Sequence, residues 1–180
     1  MAVAFKEWAA VCEAIRSGAQ TVLLRKGGIS ERRGAFLPEH ARFLLYPTFE
    51  HQQEADLRPE WRRALPSPAP DGATVELALL ADVVSVIRFD ERARLEPLRE
   101  LHVYAEEAID RKFRYRAPFL YALLCRFRAL GPPATIAVTS AYRGCRTWVE
   151  LAMPVAIERA EAILADDAFA AAAARFASAA

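Results

Sequence analysis

The sequence predicts an α+β domain with mostly antiparallel strands, on three observations. Short apolar and β-branched runs mix with helical stripes, without the regular strand–helix–strand alternation of a doubly wound sheet. The chain has 180 residues, one domain's worth, and 54% of them are hydrophobic, enough for a sizeable core. From Val155 the composition changes, with 13 of the last 26 residues alanine. The predicted organisation is one domain over 1–153 and an Ala-rich helical extension over 154–180.

The elements follow in order. Residues 4–17 read as a helix, because Phe5, Trp8, Cys12 and Ile15 recur at spacings of three and four and Gly18 supplies a stop. Gln20–Arg25 is β-branched and apolar, a strand. Lys26-Gly27-Gly28 turns the chain into a charged loop at Glu31–Gly34. Phe43–Phe49 is a second strand, and Pro47 places it at an edge or gives it an irregular end. Glu50–Asp56 reads as a short helix. The proline-rich stretch 57–72 reads as a loop. Ala73–Phe89 is the strongest strand pattern, with a break expected at Asp82. Leu95–Lys112 carries a helical stripe through Leu98, Leu101, Tyr104 and Ile109. Phe119–Leu130 is a long strand and Gly131-Pro132-Pro133 a turn. Thr135–Val138 and Arg146–Leu151 are further strands, and the tail reads as one or two helices.

The net charge of +1 is a cancellation. Residues 1–110 carry −4, residues 111–149 carry +8 without one acid, and residues 150–180 carry −3. The acid-free block also holds Phe113, Tyr115, Phe119, Tyr121, Phe127, Tyr142 and Trp148. Arginine beside exposed aromatics is the composition that holds phosphates while stacking a base. The alternative is that these arginines pair with acids from the other segments.

Other chemistries fit less well. Cys12, Cys125 and Cys145 are widely spaced, with no CxxC and no Cys/His cluster, so neither a disulfide framework nor a zinc site is expected. No metal and no cofactor are expected. No apolar run approaches the ~20 residues that cross a bilayer, and no secretory signal is read at the start. These readings predict a cytoplasmic protein without a membrane partner. A nuclease core would want an acid followed by acid-x-lysine; Asp71 and Glu76 are present, but Ala78 stands at the lysine position. Gly27-Gly28 is a lone pair, with no phosphate-loop sequence around it. Cys145, between Arg143 and Arg146, has the cationic neighbours that favour a thiolate, and would need a base such as His51 or His40. Packing of a small residue after Gly144 is the simpler reading.

Three stretches carry a resemblance: Leu23-Leu24-Arg25-Lys26-Gly27-Gly28-Ile29, then Phe43-Leu44-Leu45-Tyr46-Pro47-Thr48-Phe49-Glu50-His51-Gln52, then Tyr142-Arg143-Gly144-Cys145-Arg146-Thr147-Trp148-Val149-Glu150-Leu151. Together they resemble the domain-of-unknown-function 1802 family of bacterial and archaeal proteins, over about residues 4–152. That resemblance implies no activity. Family members joined to a restriction-endonuclease-type domain imply a nucleic-acid context. A helix, then Ile15-Arg16-Ser17-Gly18-Ala19-Gln20-Thr21 and a strand ending in Arg25, is similar to the opening of ASCH and other PUA-like domains. Those are small β-barrels that bind RNA or modified bases, and their usual lysine is Gln20 here. The resemblance implies a compact PUA-like barrel with flanking helices, and places Arg25 and the 26–34 loop near a ligand cleft.

The leading expectation is a non-catalytic module that binds nucleic acid or a modified nucleotide. Arg25, Lys26, Arg126, Arg128, Arg143 and Arg146 would grip phosphates. Tyr46, His51, Tyr142 and Trp148 would contact a base. One alternative is a small enzyme acting on a phosphorylated or nucleotide substrate, with Cys145 or His51 in its site. Another is an interaction subunit, including a homo-oligomer formed through the C-terminal helix.

Overall fold

The structure is a computed structural model that describes residues 2–27, 29–32, 35–50, 52–62, 72–142, 144 and 146–179. The expected mixture of helix and strand is present. The strands are β1 (Val3–Trp8), β2 (Val22–Arg25), β3 (Ile29–Arg32), β4 (Ala35–Pro38), β5 (Arg42–Thr48), β6 (Thr74–Phe89), β7 (Leu120–Ala137), β8 (Trp148–Glu150) and β9 (Glu161–Ala162). The helices are α1 (Ala9–Arg16), α2 (Pro59–Arg62), α3 (Glu106–Arg114) and α4 (Asp166–Ala177). A 3-10 helix covers Arg92–Leu101.

The main sheet runs β2-β7-β6-β5-β1-β8, with β9 added to β7, and β3-β4 is a separate hairpin. Its pairings are antiparallel except β1 with β5. β2 and β8 end the path and are not paired with each other, so the expected closed barrel is an open sheet. The end strands are only four and three residues long. At the start of β2 the Thr21 N–H is taken by the carbonyl of Leu101 instead of another strand.

The chain start corrects the predicted helix. Val3–Trp8 is a strand, parallel to β5 on one side and antiparallel to β8 on the other. Two neighbouring ladders satisfy its backbone, and that outweighs a periodicity that Phe5 and Trp8 share with α1. The charged loop expected at 31–34 contributes to the β3–β4 hairpin through Glu31 and Arg32. β5 lies inside the sheet. Its Pro47 pairs in register with Glu7 of β1, beyond the β6 ladder at Arg42–Leu44, so its missing N–H interrupts no β6 bond.

β6 and β7 form the long central hairpin. The break expected at Asp82 is an irregularity between Val83 and Ser85, and residues 130–133 bulge out between the pairs Leu77–Ala134 and Leu79–Ala129. The predicted helix 95–112 is split. His102–Ala105 is extended, and Arg58 N–H to Val103 O and Ala105 N–H to Asp56 O hold it there.

The sheet separates two apolar clusters. The larger includes Phe5, Ile15, Leu23, Phe43, Leu98, Tyr104, Phe113 and Leu123. Phe176 of α4 is buried in that same cluster. The smaller holds Ala4, Leu44, Tyr46, Leu80, Tyr142 and Leu151. No helix among the described residues is long and apolar enough to cross a membrane.

Candidate functional site

The ends of β2 and α3 bound one cleft of about 350 Å³, lined by Leu24, Arg25, Lys26, Gly27, Arg111, Lys112, Tyr115 and Leu120. Four cations line it and no carboxylate does, among the described residues. β2 delivers Arg25 because its preceding residues Val22–Leu24 are buried, which drives the strand's end out to the rim. α3 delivers Arg111 and Lys112 because Ala108, Ile109 and Phe113 turn its apolar stripe into the core.

Each cation is held differently. Arg25 lies over the Phe5 ring at 4.2 Å and donates to Glu7 Oε2 at 3.3 Å. It also reaches Thr147 Oγ1 at 3.4 Å. Glu7 is 2% exposed and accepts from Tyr104 Oη at 3.3 Å. Arg111 pairs with Asp56. The Lys26 ammonium donates to the carbonyls of Phe113 at 2.8 Å and Phe119 at 2.6 Å, and to that of Ala117. It therefore caps the last turn of α3 and fixes the turn that carries Tyr115, which is 57% exposed.

Lys112 has no hydrogen-bond acceptor among the described residues. Its Nζ stands 4.6 Å from the ring centres of both Trp8 and Tyr104. Burial lowers its pKa to about 8; Glu7 opposes that shift, and Arg25 and Arg111 add to it. Burial also raises the Tyr104 phenol, with Glu7 acting in the same sense. Burial lowers Lys26, helped by the Arg88 guanidinium.

The sequence-predicted residues divide among several places. Arg25 and Lys26 share the cleft. Tyr46 and Tyr142 meet edge to face at 6.1 Å on the other side of β1, with Lys6 Nζ 5.7 Å from the Tyr46 ring. The alternation of β1 causes the split: Phe5 and Glu7 face Arg25, whereas Ala4 and Lys6 face the tyrosines. Burial raises the Tyr46 phenol, and Tyr142 and Glu50 add to that shift. A smaller groove of about 170 Å³ lies at this second position.

Arg126 and Arg128 follow the alternative reading, internal pairing. Arg126 donates to Asp166 at 2.6 Å and stacks on Phe169 at 4.7 Å, and Arg128 reaches Asp82 at 3.4 Å. Arg126 is five positions along β7 from Tyr121, the partner of Arg25, or about 16 Å. Trp148 packs against Phe5, Phe43 and His40 rather than presenting a free face. Arg146 is exposed. His51, Arg143 and Cys145 lie outside the described residues.

Sequence reasoning did not single out Glu7, Tyr104, Arg111 and Lys112 as site residues. Arg111 and Lys112 open the acid-free block, so its first members, not its middle, reach the cleft. Gln20 is buried, donates to Val22 O at 2.8 Å and accepts from Val103 N at 3.2 Å.

Other groups offer less chemistry. A groove of about 380 Å³ beside α1 is mostly apolar and carries Glu13 and Glu76, and its Arg16 is paired with Glu13. Cys12 and Cys125 are buried thiols whose pKa burial raises. Among the described residues no three of His, Cys, Asp and Glu gather as a metal-ligating group.

The model of a domain of unknown function, DUF1802, matches residues 4–175 of this chain, so the match runs on through most of the alanine-rich tail. No curated protein matches. Two similar solved structures come from Zymomonas mobilis. The crystal structure of ASCH has 17% identity and a TM-score of 0.45; the match covers 69% of this chain and 66% of that one. A tyrosine-to-phenylalanine mutant of that protein has 13% identity and a TM-score of 0.47, covering 83% and 88%.

Proposed function

This chain belongs to the domain-of-unknown-function 1802 family, and we propose that it is a non-catalytic binding module for nucleic acid or a nucleotide, modified nucleotides included. The observation that carries this reading is the convergence of Arg25, Lys26, Arg111 and Lys112 on one cleft without a lining acid. Glu7 and Asp56 neutralise two of the four charges from behind, so an anion still meets a positive field. Tyr115 at the rim, backed by the Arg116 guanidinium 5.1 Å from its ring, offers a base a stacking surface. Phosphate recognition therefore shifts to the β2–α3 cleft, and Arg126 and Arg128 are left to the fold.

The test is fluorescence anisotropy with single-stranded RNA, single-stranded DNA and nucleotides across a salt series. Binding is expected to weaken steeply as salt rises. Arg111→Gln, which removes an exposed guanidinium, is expected to weaken binding roughly tenfold and lower the salt slope by about one. Absent or salt-independent binding across the panel would overturn the reading.

A further inference from the structure

The chain has three lysines, Lys6, Lys26 and Lys112. Two of them have committed ammonium groups. Lys6 donates to Gly144 O at 2.8 Å, and Lys26 to three carbonyls. Lys112 stands against two touching aromatic rings at the wall of the cationic cleft, with no hydrogen-bond acceptor among the described residues. Partial burial and the neighbouring Arg25 and Arg111 guanidinium groups disfavour its charged form, so it gives up a proton more readily than an exposed lysine. Such a lysine is the kind that becomes a nucleophile.

We propose that Lys112 forms a Schiff base with a phosphate-bearing aldehyde whose phosphate is held by Arg25 and Arg111. This rests on reading the cleft as a phosphate site. The Nζ lone pair attacks the carbonyl carbon, the C–N bond forms, and the carbonyl electrons move to oxygen. One amine proton passes to that oxygen, giving the carbinolamine; a solvent proton on the hydroxyl then lets water leave, and the remaining amine proton returns to solvent, leaving an imine. No oxidant, reductant or metal is needed.

The groups facing Lys112 are Glu7 on β1, Arg25 on β2, His102 and Tyr104 on the extended segment, and Arg111 on α3. Their balance, with burial, leaves a pKa of about 8. At pH 7.5 about a quarter of the amine is then neutral, roughly two hundredfold more than for an ordinary lysine.

The chemistry has two sources: a small phosphorylated aldehyde, or the sugar aldehyde of an abasic position in a nucleic-acid strand. The full chain is incubated with pyridoxal 5′-phosphate or with an abasic oligonucleotide, reduced with borohydride, and the adduct is mapped by mass spectrometry. At least tenfold more label at Lys112 than at Lys6 or Lys26 is expected. So are a rate midpoint near pH 8, competition by pyrophosphate, and tenfold slower labelling by unphosphorylated pyridoxal. Lys112→Arg, checked for folding by circular dichroism, should lose the adduct. The faster arm identifies the source. Label spread evenly over the lysines overturns the proposal, as does equal labelling by pyridoxal. No label at Lys112 from either probe, with salt-dependent nucleic-acid binding intact, overturns this proposal and leaves the binding module standing. Loss of binding as well removes both.

Discussion

Glu7 is the residue on which the cleft turns. It is buried, it holds Arg25 and the Tyr104 hydroxyl, and it is the group that resists the fall of the Lys112 pKa. Glu7→Gln should therefore lower the Lys112 pKa below about 8, read by NMR titration of the labelled side chain. The same change leaves Arg25 without its carboxylate and should cost roughly 3 kcal/mol in urea unfolding. His102 provides a second residue-scale prediction. It is 0% exposed, both ring nitrogens lack a partner among the described residues, and burial, with Arg58, Arg92, Arg99 and Lys112 adding, lowers its pKa to about 3. The unfolded chain binds a proton near pH 6.5 and the folded chain does not. Stability is thus full above about pH 6.5 and falls as pH drops toward 3, by on the order of 4 kcal/mol. His102→Phe should flatten that limb in unfolding curves taken from pH 7 to 4; an unchanged slope would refute the assignment. Neither residue was legible as functional in the sequence, because a single Glu in a strand and a single His in a loop carry no spacing signal.

At the scale of elements, the sequence located most strands but misjudged how they join. The helix expected over 4–17 fails in its first half because β1 finds ladders on both sides, which no local pattern contains. The helix expected over 95–112 fails in its middle because residues 56–58 bind the extended backbone at Val103–Ala105. That break matters for the site, since it frees α3 to point Arg111 and Lys112 at β2. Lys26 then ties the end of α3 to the same strand. Lys26→Met removes donors to three carbonyls and should cost about 1–3 kcal/mol. Amide hydrogen exchange should quicken across 113–119 while β6 and β7 stay protected; uniform protection would show that the capping is not needed.

Over the whole molecule, the C-terminal segment is part of the packing. Phe176 is 1% exposed in the larger core, and Arg126 clasps Asp166 and Phe169 against β7. Phe176→Ala should cost about 3–5 kcal/mol in thermal or urea unfolding. A loss under 1 kcal/mol would mean that α4 is not held there. Light scattering of the full chain tests the homo-oligomer proposed for that helix; a mass of 20.0 kDa, that of one chain, argues against it.

By itself the sequence determined the mixed fold class, the family, the two long strand stretches that lie in β6 and β7, and the existence of one acid-free cationic block. These are properties of composition, period and motif order, which local chemistry dictates. Only the tertiary structure decided which cations stand together. Arg25 and Lys26 meet Arg111 and Lys112 across some 85 residues of chain because β2 and α3 end side by side. Arg126 and Arg128 meet acids instead because β7 carries them toward α4 and β6. Strand alternation in β1 sent Tyr46 and Tyr142 to the opposite face. A charge becomes a site or an ion pair according to what lies opposite, and sheet pairing rather than sequence distance sets that.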